Sequence, residues 1–166
     1  MTANEKKTAL RMIPYGLYIL TAKSDEKVAA ATVSWITQAS FKPALLVVVV
    51  KVDSYIHEII LEAKAFAINV LGKGQNDIAV AFFKSVEPDG QTLAGQPFHS
   101  GETEAPILET TPAFIECRLI DSVEKGDHSI FIGEVLTAGT NTHIDGRPDL
   151  ATLWLPDLGE NIFYGG

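Results

Sequence analysis

Short segments of strand character follow one another along this chain, and several are joined by short polar turns. The clearest are "GLYILTA" (16–22), "ALLVVVV" (44–50) and "AFAINVL" (65–71), which contain many β-branched and aromatic residues. Further along, "FIECRLI" and "SIFIGEVL" flank "DSVEKGDH", in which Gly126 predicts the turn of an antiparallel hairpin. A doubly wound parallel sheet needs a crossover helix between strands, so this pattern favours an antiparallel barrel, closed or partly open. We expect "ALLVVVV" to be covered on both faces.

Two stretches have helical rather than strand character. In "KVDSYIHEIILEA" the isoleucines recur at helical spacing behind Asp53 and Ser54, which are both good N-cap residues. "QNDIAVAFF" predicts a second short helix. The segment from Lys84 to Pro112 is rich in proline and glycine, and we expect it to be irregular and either functional or mobile.

The stretch "ATVSWITQASFKP" (31–43) carries neutral polar side chains at alternate positions. These positions are Thr32, Ser34, Gln38 and Ser40. Ten extended residues at a rise of ~3.3 Å each would be longer than a usual strand. We therefore expect a strand from about Ala30 to Trp35 and a loop from Ile36 to Pro43. A solvated strand face usually includes charged residues. The neutral face either hydrogen-bonds a ligand or bonds a neighbouring loop, and the pattern alone favours neither.

Size, charge and cysteine content exclude several classes of protein. The 166 residues fit one domain, 1–166, and the net charge of −8 argues against nucleic acid or an anionic membrane as partner. The lone Cys117 has no partner for an internal disulfide, which favours a reducing cytoplasm. No apolar run approaches the ~20 residues that span a bilayer. Residues 5–22 imitate a signal peptide, but Arg11 and Pro14 interrupt the apolar region, so we expect no cleaved leader.

Common catalytic motifs are absent, and three candidate sites remain. The sequence has no GxGxxG, phosphate-loop or GxSxG motif, and its four histidines show no metal-ligand spacing, so we expect no metal. The first candidate is the neutral face of 31–43. The second is Lys51 with Ser54, at a helix start that suits a phosphate, although a plain N-cap beside a solvated lysine is the commoner arrangement. The third is His128, although a histidine or tryptophan such as Trp35 is more often structural when taken alone.

Taken together, these motifs resemble the flavin reductase-like family, the FMN-binding split barrels. The similarity runs from about Met12 to Gly166 and rests on "ATVSWITQASFKPALLVVVV", "KVDSYIHEII", "FAINVL", "GDHSIFIGEV" and the final "YGG". The form "SWIT" is closer to the flavoredoxin and ferric reductase-like members than to the reductase partners of two-component monooxygenases. The resemblance implies a mainly β fold, a six-stranded antiparallel split barrel in Greek-key order with a few short helices. It also implies a homodimer with FMN near the dimer interface.

The resemblance also implies roles for individual residues. Along the isoalloxazine ring it assigns Thr32, Val33, Ser34 and Trp35. The resemblance places Gln38 and Ser40 near the ribityl chain and phosphate of FMN, with Thr37 and Ala39 beside them. Lys51 and Ser54 complete the phosphate site. His128 is the catalytic candidate, near both flavin and nicotinamide. An aromatic residue near the C-terminus, Phe163 or Tyr164, is expected at the same site.

The implied activity is reduction of flavin by NADH or NADPH, with hydride passing from nicotinamide to FMN and electrons passing on to an acceptor. Candidate acceptors are free flavin, a ferric chelate, a flavin-dependent monooxygenase and another redox protein. A different interpretation is a flavoredoxin-like electron carrier that binds FMN, serves a protein partner and uses NAD(P)H poorly. A third is a barrel of the same fold that binds no flavin.

Overall fold

The computed structural model describes residues 1–165, so the last glycine of "YGG", Gly166, lies outside the described residues. Antiparallel strands make up most of the chain. In chain order the elements are α1 (Ala3–Arg11), β1 (Tyr18–Ser24), β2 (Lys27–Val33), β3 (Ile36–Phe41), β4 (Ala44–Lys51), α2 (Tyr55–Ala63), β5 (Ala65–Val70), α3 (Asn76–Ala81), β6 (Pro88–Asp89), β7 (Thr92–Leu93), β8 (Gln96–Ser100), β9 (Pro106–Leu108), β10 (Ala113–Glu124), β11 (His128–Thr140), α4 (Pro148–Ala151) and a 3₁₀ helix (Leu155–Leu158).

The main sheet contains seven strands in the order β2-β1-β5-β10-β11-β4-β3. All of its neighbouring pairs are antiparallel, which confirms the mainly β, antiparallel architecture. Two details of the expected fold are corrected. The sheet has seven strands instead of six, and it is not closed into a barrel, because its end strands β2 and β3 do not pair with each other.

The extra strand is β3, where we expected a loop from Ile36 to Pro43. The strand is interrupted at Ser34 and Trp35, which we call the break between β2 and β3. There the Ile36 N–H donates to the Ser34 carbonyl at 3.2 Å. After the break, β3 pairs with β4 from Ile36 opposite Val48 to Phe41 opposite Ala44. The stretch is too long for one strand, as expected, but the chain resolves this by forming two strands at opposite ends of the sheet.

The core lies between the inner face of the main sheet and α2. The isoleucines of α2 that are buried, Ile56, Ile59 and Ile60, pack with residues of the sheet such as Phe66 and Phe131. On β4 only alternate residues are fully buried, so our expectation that "ALLVVVV" is covered on both faces is wrong for the isolated chain. The outer face of β4 is half-exposed.

The segment from Lys84 to Pro112 is not irregular throughout, because it contains a second sheet of four strands in the order β6-β7-β8-β9. Buried polar contacts attach this small sheet to the main one. The Leu108 N–H donates to Asn69 Oδ1 at 2.8 Å, and the Thr21 hydroxyl donates to the Pro106 carbonyl at 2.7 Å. Leu93 and Leu108 add apolar packing beneath it.

The N-terminal helix α1 was not anticipated. Thr2 and Glu5 form a capping box at its start, and none of its residues is buried. Over residues 1–165, every helix is too short or too polar to cross a bilayer.

Cys117 on β10 is fully buried, and burial raises the pKa of its thiol from 9.0 to about 12. Only the thiolate reacts with disulfide reagents. We therefore expect no reaction of the folded protein at pH 8 and one reacting thiol after denaturation, measured by release of a coloured thiol from an aromatic disulfide. Because only the unfolded chain loses this proton between pH 9.0 and about 12, the thiol should also lower the stability as the pH rises through that range. Rapid labelling of the native protein would contradict this prediction.

Candidate functional site

A pocket of about 410 Å³ lies beside the break between β2 and β3. We call it the Trp35 pocket. It brings together Thr32, Val33, Ser34 and Trp35 from the break, Lys51 and Ser54 from the next connection, and Phe163 and Tyr164 from the C-terminal segment. Its volume falls in the range of about 300–1,000 Å³ typical of small-molecule sites. Residues far apart in the chain therefore meet at one pocket.

Thr32 is compatible with both predicted roles of the neutral face, a hydrogen bond to a neighbouring segment and a hydrogen bond to a ligand. Its hydroxyl donates to the Ala79 carbonyl at 2.6 Å, and its N–H donates to the Phe82 carbonyl at 3.2 Å. These bonds attach β2 to α3, so the hydroxyl proton of Thr32 is already used within the fold. The hydroxyl oxygen can still accept a hydrogen bond from a ligand in the pocket.

The indole ring of Trp35 is the centre of an aromatic cluster. Its centroid lies 4.9 Å from the ring of His128, 5.2 Å from that of Tyr164 and 6.3 Å from that of Tyr15. The indole Nε1 is buried and has no hydrogen-bond partner among residues 1–165. A buried donor without a partner is rare in folded proteins and costs about 1–3 kcal/mol, so an acceptor atom of a ligand here would be stabilising.

Lys51 and Ser54 form the cationic end of the pocket. Lys51 ends β4, and its Nζ lies 3.1 Å from Asp53 Oδ2 in an exposed pair whose side chains are 54% and 68% accessible. Such a pair is weak, so the ammonium remains available to an anion. Ser54 is the N-cap of α2, but its side chain makes no capping bond and donates instead to the Lys51 carbonyl at 2.6 Å. The His57 N–H donates to the Ser54 carbonyl at 3.1 Å, so the N–H groups left for an anion at this helix start are those of Tyr55 and Ile56.

His128 begins β11 directly opposite Lys51 in the strand register. Its Nδ1 lies 2.8 Å from Asp127 Oδ1, and its Nε2 lies 2.7 Å from the Tyr164 hydroxyl. The hydrogen bond from His128 lowers the pKa of Asp127, while burial raises the pKa of Tyr164. A carboxylate can only accept, so Nδ1–H donates to Asp127 and, in the neutral ring, Nε2 accepts from Tyr164. The imidazole is held from both sides, next to Trp35.

Four residues of the expected set lie elsewhere. Thr37, Gln38, Ala39 and Ser40 follow one another on β3, outside the lining of the Trp35 pocket. The first three are exposed, and the Thr37 hydroxyl donates to the Gln38 carbonyl at 3.2 Å. The strand break separates this half of the neutral face from the half that lines the pocket, so contact between these four and a cofactor remains a prediction.

The sequence analysis missed several residues around the site. Asp127 had a usable signal, because a carboxylate directly before a histidine can fix its ring. No sequence signal pointed to Tyr15 or Phe82, since they reach the site from distant parts of the chain. Behind the site, His57 Nε2 lies 2.8 Å from the buried Ser129 Oγ, which ties α2 to the strand that carries His128.

Comparison with known proteins identifies related chains. The sequence profile described as "Flavin reductase like domain" matches residues 10–155. Diflavin flavoprotein A 1 of Synechocystis sp. is 32% identical over 133 residues, which cover 80% of this chain and 23% of that protein. The chain thus spans about a quarter of the length of the diflavin flavoproteins that it matches.

Two further relatives match over most of their length. The reductase component of the FADH(2)-dependent resorcinol hydroxylase of Rhizobium sp. is 29% identical over 160 residues, covering 95% of this chain and 83% of that protein. The solved structure of the NADH:FAD oxidoreductase of Streptomyces globisporus C-1027 is similar with a TM-score of 0.72 at 28% identity, covering 84% of this chain and 86% of that one.

Proposed function

Since the chain belongs to the flavin reductase-like family, we propose that it is a flavin oxidoreductase that holds FMN in the Trp35 pocket and reduces it with a nicotinamide nucleotide. The observation that carries this proposal is the meeting of Trp35, Lys51 and Phe163 in one pocket, where the buried indole N–H of Trp35 has no partner among residues 1–165. FMN is rich in acceptors, because it has ring carbonyls, hydroxyls and a phosphate. The pocket supplies a buried donor, aromatic and aliphatic walls, and one cationic end.

The residues of the pocket divide the binding of FMN between them. Lys51, Ser54 and the first turn of α2 would hold the phosphate, and the residues from Thr32 to Trp35 would contact the ring. A single lysine at the cationic end suits one phosphate, which favours FMN over FAD. Bound FMN would supply an acceptor for the hydride of the nicotinamide.

The protein's own contribution to the reaction would be orientation. Asp127 holds the Nδ1 proton of His128, so the ring keeps one tautomer and one plane beside Trp35. In this state its Nε2 is occupied by the Tyr164 hydroxyl. We propose that His128 exchanges this bond for one to the nicotinamide, and that Trp35 and Tyr164 limit the entry of water.

The test of the function is the visible spectrum of the purified protein under anaerobic conditions, before and after addition of NADH and then NADPH. A flavin spectrum that bleaches with either nucleotide supports the proposal. A flavin that stays oxidised until dithionite is added would overturn it in favour of the electron carrier. A colourless protein that takes up no added FMN would show that the chain has the fold without the function.

Replacing Lys51 with methionine should weaken FMN binding about tenfold, because a charged hydrogen bond to the phosphate is lost. Riboflavin, which lacks the phosphate, should bind the variant and the parent equally. Equilibrium dialysis of the flavin-free protein measures both affinities. Lys125→Met, which removes the same charge from the exposed hairpin turn, is the matched control. An equal loss of affinity for riboflavin would rule out a phosphate contact.

We further propose that the protein is a homodimer. On the outer face of the main sheet, half-exposed Val47 and Val49 lie opposite Ile132 and Ile130. A second copy would cover this apolar face. Because Val49 also lines the Trp35 pocket, the flavin would then lie close to the dimer interface. The molar mass in solution tests this, and a monomer at micromolar concentration would contradict it.

The electron acceptor is proposed from the relatives. The similar protein of Rhizobium sp. is the reductase component of a resorcinol hydroxylase, so a flavin-dependent monooxygenase is the first candidate. Another redox protein is the second.

A further inference from the structure

A second pocket, of about 120 Å³, lies on the other side of the C-terminal segment. We call it the Trp154 pocket. It is lined by the aromatic residues Tyr15, Trp154, Phe163 and Tyr164, together with one cation, Arg11, and one carboxylate, Glu160. Phe163 and Tyr164 also line the Trp35 pocket, so the two pockets share a wall.

Backbone contacts hold the rings of the Trp154 pocket in place. The Leu155 N–H donates to the Tyr15 carbonyl at 2.9 Å, and Gly16 and Trp154 form an antiparallel bridge. The Trp154 N–H donates to Asp157 Oδ2 at 2.8 Å, and the same carboxylate pairs with Lys73. The backbones of Tyr15 and Trp154 are therefore joined, which places both side chains at this pocket.

The charged side chains lie at the edge of this aromatic site. The Arg11 guanidinium carbon lies 4.1 Å from the centroid of the Phe163 ring, and its Nε donates to the Gly165 carbonyl at 3.4 Å. This single, long hydrogen bond leaves the other N–H groups of the guanidinium able to bind phosphate oxygens. Glu160 is exposed at the same pocket and offers acceptor oxygens only.

We propose that the Trp154 pocket binds the adenosine half of NADH and makes the protein prefer NADH to NADPH. The inference rests on the proposed function and names its nucleotide. The adenine ring would stack among the aromatic side chains, Arg11 would bind the diphosphate, and Glu160 would accept a hydrogen bond from the ribose 2′-hydroxyl. In NADPH that hydroxyl carries a phosphate, which the Glu160 carboxylate repels.

Size and spacing agree with this assignment. At about 120 Å³ the Trp154 pocket is less than a third of the size of the Trp35 pocket, at about 410 Å³, so it is large enough for part of a dinucleotide and too small for the whole. The nicotinamide end must therefore lie elsewhere. Because the two pockets share Phe163 and Tyr164 as a wall, a folded dinucleotide could place one ring in each.

The first test is Glu160→Gln in the FMN-loaded enzyme, with kcat/KM measured for both nucleotides. The ratio of NADH to NADPH should fall about tenfold, because the charge repelling the 2′-phosphate is removed. Glu87→Gln, which removes an exposed carboxylate outside both pockets, should leave the ratio unchanged. An unchanged ratio in Glu160→Gln would overturn the proposed role of Glu160.

The second test measures binding without catalysis. Adenosine diphosphate ribose, which lacks the nicotinamide, should bind the FMN-loaded protein and compete with NADH in calorimetric titrations. Arg11→Gln should weaken its binding about tenfold, with Arg11→Lys in between. No detectable binding of this probe, while NADH still bleaches the flavin, would overturn the adenosine site and leave the reductase intact. Failure of NADH and NADPH alike to bleach the flavin would instead overturn the proposed function.

Discussion

Replacing His128 with alanine should slow reduction of bound FMN by NADH about a hundredfold and change the FMN affinity less than about threefold. The physical reason is its position. The imidazole contacts Trp35 and is held by Asp127 and Tyr164, yet it is not among the residues that line the Trp35 pocket. Its loss should remove the orientation of the nicotinamide while leaving the contacts with the cofactor in place.

The rate is measured by anaerobic rapid mixing, from the absorbance of the oxidised flavin, and the affinity by equilibrium dialysis. His143→Ala is the matched control, because that side chain is 86% accessible and its only ion pair within residues 1–165 is with the exposed Asp145. It should leave both quantities unchanged. Equal reduction rates in His128→Ala and the parent would exclude the proposed role.

Replacing Gly133 with alanine should lower the free energy of unfolding by about 3 kcal/mol, the upper part of the range for overpacking a core. Gly133 lies on β11, where a Cβ would fall 2.6 Å from Phe66 Cζ and 2.8 Å from Cys117 Cβ. Phe66 and Cys117 are both fully buried, so neither can move without displacing its neighbours. One added methyl group therefore forces a shift in the core of the main sheet.

Urea denaturation measures this effect, with the slope of the transition expected to stay the same. Gly126→Ala makes the same chemical change in the hairpin turn, where a Cβ would meet no atom within 4 Å. That variant should differ from the parent by less than about 0.5 kcal/mol. A similar loss of stability in the two variants would show that the cost comes from the backbone and not from the collision with Phe66.

The motifs predicted the family correctly, and they located part of the candidate site. Thr32, Val33, Ser34 and Trp35 line the pocket beside the break. Lys51, Ser54 and Phe163 line the same pocket, while their contact with FMN stays a prediction. These residues were identifiable because each belongs to a short motif at the end of a strand or at the start of a helix.

The other half of the neutral face could not be assigned from sequence. Gln38 and Ser40 share the alternation of Thr32 and Ser34, but the break at Ser34 and Trp35 carries them to the opposite end of the sheet. An alternating pattern specifies which residues share a face only while the strand continues. After the break the chain pairs with β4, a contact that the pattern does not contain.

The sequence by itself determined the local elements, because the β-branched and aromatic content of β1 and β5, the helical spacing of α2 and the turn at Gly126 are properties of neighbouring residues. Only the tertiary structure decided what meets at the site. It places Lys51 opposite His128, the Tyr164 hydroxyl on the imidazole, and Arg11 beside Phe163. Such contacts depend on strand register and on packing across the whole sheet. Each local segment contributes only a small part of the free energy of that packing.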